Sequence, residues 1–230
     1  MLKKSKNKNI LVVVAHTDDE TLGLGGTIAR HSSMGDNVYG IAMTDGVSAR
    51  NSRTNQKIKI RKKASISAGK IIGLKWIKGG SFADNAMDNV PLLKIIKVIE
   101  NAKSKINPSL IYTHCSNDLN IDHRIVCEAT LTAFRPQPNE SWTEIRTFEV
   151  PSSTDYGHRS ITGFFHPNLY VNISNTWDKK LKALTKYKME MRDKPHSRSL
   201  EGLKNLAKYR GNQVGLQYAE AFEIIRKIQR

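Results

Sequence analysis

The feature that most constrains this chain is the motif NILVVVAHTDDETLGLGG, which occupies residues 9–26. Six apolar residues from Ile10 to Ala15 form a continuous run of strand length, typical of a parallel strand covered on both faces. A histidine at position 16 and three consecutive acids at positions 18–20 follow this run directly. Because ligands in open α/β sheets bind at the carboxyl ends of the strands, the motif predicts a functional site just past the first strand.

The rest of the first half alternates between helix and strand patterns. Further strands are predicted at residues 38–44 and 109–114, and helices at about 20–34, about 54–72, between Val90 and Pro108, and at 122–134. This β-α-β-α alternation predicts an α/β fold in which a mainly parallel sheet carries helices on both faces.

The second half is less regular. Residues 144–150 and 168–173 have the pattern of strands, whereas residues 175–191 and 199–210 have the pattern of amphipathic helices. The segment YAEAFEIIRKI, residues 218–228, fits either a helix or a terminal strand, and the pattern does not separate the two.

Length and composition limit the class of protein. At 230 residues the default is a single domain covering residues 1–230. The longest apolar run is six residues, far below the roughly 20 that cross a bilayer, so we expect a cytoplasmic protein without a transmembrane segment. Cys115 and Cys127 form no CxxC pair, so they indicate neither a disulfide framework nor a structural zinc knuckle.

The chain is strongly basic, with 37 Lys and Arg against 21 Asp and Glu and a formal net charge of +16. The basic residues are spread over segments whose other face is apolar, which solvated helix faces explain. A nucleic-acid binder is an alternative of a different class, but the chain has no RRM, helix-turn-helix or finger signature. We therefore expect no specific nucleic-acid partner, and an anionic small-molecule substrate stays compatible with the charge.

Two predicted strand ends carry side chains of the kind that bind metals. His16 and Asp19 lie three residues apart at the first strand-to-helix corner, and His123 follows the predicted strand at 109–114 within THCSNDLNIDH. Three N and O ligands with water in the fourth position are typical of catalytic rather than structural zinc. The pattern predicts one divalent metal held by His16, Asp19 and His123, which would lower the pKa of bound water to about 7.

Two further acids have predicted roles beside that metal. Asp18 adjoins the ligand Asp19 without pointing with it, so it is placed to take a proton from the water as a general base. Asp122 adjoins His123 and could accept the second N–H of that imidazole ring, which is the usual outer partner of a metal histidine.

The same residues have simpler interpretations. Acids in a first helical turn favour the positive end of the helix dipole, so TDDE can be only a helix cap. Asp122 can likewise be only an N-cap. A lone His114 on an inner strand is more often a core residue than a ligand, and Cys115 is most simply a small buried hydrophobe. The metal interpretation gains weight because both clusters fall at the same predicted edge of one sheet.

The chain resembles the LmbE-like or PIG-L deacetylases, whose first motif, AHPDDE, stands here as AHTDDE with Thr17 in place of proline. The resemblance extends over about residues 9–225, through MTDG, RKKASISAGKIIGL, THCSNDLNIDHRIV, HPNLYVNIS and YAEAF. It implies a three-layer Rossmann-like sheet and zinc-dependent hydrolysis of an N-acetyl group. The implied ligands are His16, Asp19 and His123, with Asp18 as the base and Arg61 on the substrate side.

Two further positions depart from the family pattern. Many relatives have a histidine three residues before the zinc histidine, and this chain has Asn120 there. An amide N–H can still donate to an oxyanion, but it cannot protonate a leaving amine, which would then fall to Asp18. Ala64 stands where relatives often have glutamate. These departures affect rate and substrate preference more than reaction type.

The resemblance and the residues together predict an amide hydrolase acting on an acetylated amino sugar or its conjugate, with one Zn²⁺ or another divalent metal per chain. A homo-oligomer is left open. The alternative is a metal-dependent nucleotide-sugar glycosyltransferase. Ligand type separates the two, because imidazole with carboxylate favours zinc, whereas magnesium and manganese prefer oxygen ligands.

Overall fold

The structure, a computed structural model, describes residues 7–47 and 55–229. Within them it forms one seven-stranded sheet in the order β3-β2-β1-β4-β5-β7-β6. Strands β1 to β5 pair in parallel, and β7 alone runs antiparallel to its neighbours β5 and β6. The strands are β1 Asn9–Val14, β2 Asn37–Ala42, β3 Leu74–Trp76, β4 Leu110–His114, β5 Glu144–Phe148, β6 Leu169–Asn172 and β7 Ala219–Lys227.

The helices lie on both faces of this sheet, as the alternating pattern predicted. Helices α1, α2, α6 and α7 contribute to one core and α3 and α4 to the other. A four-residue helix, α5, lies outside both cores. The helices are α1 Asp19–Ser33, α2 Asn55–Ile72, α3 Leu92–Ile106, α4 Ile121–Ala133, α5 Arg159–Thr162, α6 Trp177–Leu184 and α7 Leu200–Asn212.

Strand β1 lies at the centre of the fold because its side chains are apolar on both faces. Ile10, Val12 and Val14 pack into one core, and the alternate residues Leu11 and Val13 pack into the other. All five are completely buried. A period of two along a strand sends successive side chains to opposite faces, so an unbroken apolar run specifies a strand covered on both sides.

The strand order places a topological switch point between β1 and β4. From β1 the chain moves outward to β2 and β3 on one side, and then crosses back to β4 and β5 on the other. Loops leaving β1 and β4 therefore diverge, and the crevice between them at the carboxyl ends of the strands is the usual ligand site of such sheets.

Most predicted elements are confirmed to within two residues, and three differences are informative. The short strand β3 was not predicted, because Leu74–Trp76 is too brief to show a period. The helix predicted over residues 175–191 ends as α6 at Leu184, and the chain then turns. Residues 218–228, left open, form β7. The predicted helix start near residue 54 lies outside the described residues.

Helix α1 is broken in its middle, and a buried ion pair bridges the break. Leu24 has non-helical angles, φ −140° and ψ 23°. The carboxylate of Glu220 accepts the backbone N–H groups of Gly26 at 2.9 Å and Thr27 at 2.6 Å. Lys180 Nζ donates to the carbonyl of Leu22 at 2.8 Å and to Glu220 at 2.7 Å. Three backbone groups next to the break are thus bonded by charged side chains from α6 and β7.

The glycines of α1 allow this close packing. A Cβ atom on Gly23 would lie 2.4 Å from the ring of Phe148, and one on Gly26 would lie 2.8 Å from Ile173. In the part of the chain that the structure describes, no helix is both long enough and apolar enough to cross a membrane.

Candidate active site

The two predicted clusters meet at the switch point. Strand β1 ends at Val14 and its neighbour β4 ends at His114. The backbone N–H of Ala15 donates to Nε2 of His114 at 2.9 Å, which ties the two strand ends together. The loop after β1 and the loop after β4 therefore open into the same crevice.

Three side chains converge there on one point. His16 Nδ1 lies 3.2 Å from Asp19 Oδ2 and 3.2 Å from His123 Nε2, and His123 Nε2 lies 3.3 Å from the same Asp19 oxygen. All three residues are buried. Two imidazole nitrogens at this distance need a cation or a proton between them, because two lone pairs repel. The predicted ligand set is therefore brought together as a compact N/O group.

The outer nitrogen of each histidine faces carboxylates. His123 Nδ1 lies 3.1 Å from Asp118, and His16 Nε2 lies 3.1 Å from Asp122 and 3.0 Å from Asp84. The prediction that Asp122 would pair with His123 was wrong. Consecutive residues of a helix point about 100° apart, so Asp122 turns away from its neighbour on α4 and meets His16 instead.

The electrostatics of the group favour positive charge. Burial lowers the pKa of His16, but hydrogen bonds with Asp122, Asp19 and Asp84 outweigh it and hold that pKa well above its usual value. Burial also lowers the pKa of His123, yet Asp19 and Asp118 raise it to about 9. The four carboxylates thus stabilise a cation at the two histidines. The donor set and its charge fit a divalent metal.

His114 and Cys115 are core residues. His114 is completely buried and stacks on the ring of His123 at 3.9 Å between centroids, with the planes 13° apart. Burial and the neighbouring His123 hold its pKa well below the usual value, in agreement with its role as acceptor for Ala15. It therefore packs against the imidazole ring of His123. Cys115 is also fully buried, and burial raises the pKa of its thiol.

Asp18 has a strained backbone and a half-satisfied carboxylate. Its φ of 135° is rare for a residue with a side chain. Its N–H donates to Glu20 at 2.8 Å, and its Oδ1 accepts from Arg61 Nη2 at 2.7 Å. The other oxygen, Oδ2, is buried and has no hydrogen-bond partner among the described residues. Burial raises the pKa of Asp18 to about 6 against the opposing effect of Arg61. The side chain makes no helix-cap hydrogen bond.

Arg61 lies in the cleft but its nitrogen atoms face the protein. Nη2 holds Asp18, Nε donates to Thr17 Oγ1 at 3.0 Å, and Nη1 pairs with the carboxylate of Glu190. Tyr187 places its ring 5.7 Å from the guanidinium carbon. The side chain is only 7% exposed. Its position on the substrate side stays a prediction, and its visible contacts are those of a residue that fixes Asp18.

Asn120 caps helix α4. Its side-chain oxygen accepts the N–H of Asp122 at 2.9 Å, and its amide nitrogen donates to Asn85 at 3.0 Å. The cap at this position is therefore Asn120, whereas the side chain of Asp122 accepts the N–H groups of Asn85 at 2.8 Å and Met87 at 3.1 Å. Asn120 lines the cleft, and one of its two amide hydrogens is not needed for the bond to Asn85.

Several residues of the site were not predicted from the sequence. The cleft has a volume of about 180 Å³. It is lined by His16, Asp18, Asp19, Gly46, Arg61, Asp84, Asn85, Asn120, Glu190 and Arg198. Asp84 and Asn85 follow the unpredicted strand β3, and Glu190 lies where a helix was expected. The order in the chain gave no signal that these segments return to the switch point.

Comparisons with known proteins give a family match and several relatives. The family model for GlcNAc-PI de-N-acetylases, PIG-L, matches residues 11–134, more than half of the chain. A probable N-acetyl-α-D-glucosaminyl L-malate deacetylase 2 of Bacillus cereus is 28% identical over 184 residues. That alignment covers 77% of this chain and 81% of the relative.

Solved structures share the fold. The N,N′-diacetylchitobiose deacetylase of Pyrococcus horikoshii, complexed with an inhibitor, superposes with a TM-score of 0.74 at 23% identity, covering 95% of this chain and 84% of that one. The 4-carboxy-2-hydroxymuconate hydratase GalB of Pseudomonas putida superposes with a TM-score of 0.73 at 20% identity, covering 97% and 98%. At such identities the likeness shows the fold alone, and it accommodates more than one reaction.

Proposed function

Because this chain belongs to the PIG-L family, we propose that it is a metal-dependent N-deacetylase that hydrolyses the acetamide of an N-acetylglucosamine-type sugar or its conjugate. The observation that carries the proposal is the convergence of His16, Asp19 and His123, with Asp18 directly beside them. The names of curated relatives support the substrate class, since they include an N-acetylglucosaminyl malate deacetylase and the diacetylchitobiose deacetylase of Thermococcus kodakarensis.

We propose that His16 Nδ1, Asp19 Oδ2 and His123 Nε2 hold one metal ion per chain, and that this ion is zinc. Two imidazoles and one carboxylate form a donor set that suits zinc better than magnesium or calcium. When bound, the metal supplies a Lewis acid that polarises the carbonyl and lowers the pKa of water to about 7. Asp118 and Asp122 orient the two histidine ligands from behind, because each faces an outer ring nitrogen.

In this proposal Asp18 moves the protons. Its Oδ1 is held by Arg61, so Oδ2 is the oxygen available to the reacting water. A carboxyl group whose pKa burial raises to about 6 accepts a proton near neutral pH and can return it. Asp18 therefore takes the proton of the attacking water and then delivers it to the leaving amine, which becomes the free amino group of the sugar.

Asn120 is proposed to stabilise the oxyanion of the tetrahedral intermediate. Its amide nitrogen borders the cleft and is fixed by its bond to Asn85 and by its role as helix cap. A fixed amide donor in a buried site favours developing negative charge and costs no reorganisation during the reaction. Asn120 cannot donate a proton outright, so the acid role stays with Asp18.

The other candidate functions have weaker support. The family match gives no support to a nucleotide-sugar glycosyltransferase, and two histidines at the centre are poor ligands for the magnesium or manganese of such enzymes. A specific nucleic-acid partner is not part of the proposal, because four acidic groups line the cleft against two arginines and one histidine.

The direct test is an acetate-release assay on metal-replete protein. The substrates are N-acetylglucosamine, its nucleotide diphosphate conjugate and a lipid-linked form, and a chelator serves as the negative control. We expect acetate and free amine in equal amounts, both abolished by the chelator, and no reducing sugar from a conjugate. A glycosidase needs two carboxyl groups flanking the sugar linkage, whereas Asp19 is a metal ligand here. Cleavage of a glycosyl or phosphate ester without acetate release would contradict the proposal.

A further inference from the structure

The segment between α6 and α7 supplies part of the site although it lies outside the family match, which ends at residue 134. Tyr187, Glu190 and Arg198 belong to this segment, and all three side chains reach the neighbourhood of Asp18. The cleft therefore contains two arginines from different parts of the chain, Arg61 from α2 and Arg198 from this segment. Their surroundings differ, and the difference indicates separate roles.

Arg61 is held by the protein at each of its guanidinium nitrogens. Each of its three guanidinium nitrogens contacts a protein oxygen, on Thr17, Asp18 and Glu190. The hydroxyl of Tyr187, whose ring lies against that guanidinium, donates to Glu20 at 2.7 Å. Glu20 in turn accepts the N–H of Asp18. A planar guanidinium fixed at three nitrogens has one orientation, and in that orientation it holds Asp18 Oδ1.

Arg198 is only partly occupied. Its Nε donates to the carbonyl of Pro151 at 3.2 Å, which anchors the stem of the guanidinium. Its Nη1 lies 3.5 Å from Asp18 Oδ2, a charge contact longer than a good hydrogen bond. Within the described residues these are the contacts of its guanidinium, so several N–H donors remain for a ligand. The side chain is 20% exposed and borders the cleft.

The position of these donors determines what they can bind. Asp18 Oδ2 is the oxygen that must reach the reacting atoms, and Arg198 Nη1 is beside it. A group bound by Arg198 therefore lies next to the scissile amide and not on a distant part of a conjugate.

We propose that Arg198 is the arginine that binds substrate, donating to oxygen atoms of the amino sugar beside the acetamide, whereas Arg61 is a positioning residue that holds the base Asp18. This inference rests on the proposed function, and it reverses the division of labour that the resemblance implied for Arg61. A guanidinium hydrogen bond to substrate contributes to binding in both the ground and the transition state, so its loss raises KM. Loss of the group that orients the base lowers kcat.

The test compares kcat and KM of metal-replete Arg198→Gln, Arg198→Lys and Arg61→Lys proteins, with N-acetylglucosamine and its nucleotide diphosphate conjugate as substrates. Arg192→Gln is the matched control, because Arg192 is an exposed arginine of the same segment that does not border the cleft. Metal content and circular dichroism verify that each variant is folded.

We expect Arg198→Gln to raise KM about 10- to 100-fold on both substrates with little change in kcat, and Arg198→Lys to recover part of this loss. Arg61→Lys should lower kcat with little change in KM, and Arg192→Gln should equal the wild type. An unchanged KM in both Arg198 variants, or a penalty confined to the nucleotide conjugate, overturns the inference. Absence of acetate release by the wild type is a separate result, because it refutes the proposed function itself.

Discussion

Helix α1 connects two buried clusters of charge that are stabilised in opposite ways. At its first turn, Asp19 lies beside His16 and His123, which bring two imidazole nitrogens to 3.2 Å from each other. At its central break, Lys180 and Glu220 are just as buried, with side chains 5% and 3% exposed, but each charge has an opposite charge and a backbone partner. The second cluster is complete within the protein, whereas the first has the donor set that we propose for a metal ion.

The contrast teaches how to separate a structural charge from a functional one in a buried setting. Burial alone does not distinguish them, because both clusters are nearly inaccessible to water. What distinguishes them is whether the protein's own groups satisfy the charge. An ion pair with all its hydrogen bonds made has nothing left for a ligand. Two imidazole nitrogens whose lone pairs repel each other are suited to binding a cation.

The largest expected effect comes from removing a ligand of the first cluster. Asp19→Ala and His123→Ala should each lose the metal and, with it, detectable acetate release, because two remaining ligands do not hold a divalent ion tightly. His31→Ala is the matched control, since His31 also pairs with an aspartate, Asp36, at the far end of α1. Elemental analysis provides the measurement. Full metal occupancy in both ligand variants would rule the assignment out.

A smaller effect is expected when the carboxylate of Asp18, beside the proposed metal site, is neutralised by a side chain of the same shape. Asp18→Asn should retain the metal and lose about 10²- to 10⁴-fold in kcat, because asparagine cannot accept the proton of the water. Asp178→Asn serves as control, being an exposed acid in the first turn of α6. Near-normal turnover by a metal-replete Asp18→Asn protein would place the base elsewhere.

Breaking the second cluster should affect stability and not metal content. Glu220→Gln leaves Lys180 buried with an uncompensated charge and should cost about 3–5 kcal/mol in the free energy of unfolding. Lys180→Met should cost less, since Glu220 keeps the N–H groups of Gly26 and Thr27. The double variant should cost less than the sum. Urea unfolding measures all three, and loss of metal from folded Glu220→Gln protein would contradict the comparison.

The smallest effect concerns the exposed, hydrated charges of the surface and their binding to polyanions. The chain has a formal net charge of +16, and many of its lysines are exposed, so weak binding to any polyanion is expected at low salt. This binding should disappear toward physiological salt, as filter-binding titrations with DNA or heparin can measure. A sequence-selective complex that survives at that salt concentration would show a built nucleic-acid site.

The central part of the fold was predictable from the sequence for a physical reason. The apolar run of β1 and the amphipathic pattern of α3 are each strong enough to specify an element locally. The helix predicted through Met191 was too long because tertiary contacts outweigh helix propensity there. The hydroxyl of Tyr187 bonds to Glu20, and the carboxylate of Glu190 pairs with Arg61. These tertiary contacts favour the turn after α6 over a continued helix.

The candidate site was predictable only in part. His16, Asp19 and His123 follow strands that any mainly parallel sheet would place at one edge, so their convergence could be inferred. Asp84 follows a strand of only three residues. Arg198 contacts Asp18 although it lies more than 170 residues later in the chain. Such long-range returns depend on packing, which local patterns do not encode.

The non-sequential neighbours β1 and β4 have a consequence for how the chain would acquire the proposed metal ion. His16 and His123 are 107 residues apart, and the intervening chain must form β2, β3 and α3 before the two imidazoles can meet. Contacts of such large sequence separation form late, because closing the loop costs conformational entropy before the contact lowers the free energy. Metal capture would therefore report that the central sheet has assembled, and a nascent chain that ends before α4 would have only two of the three ligands.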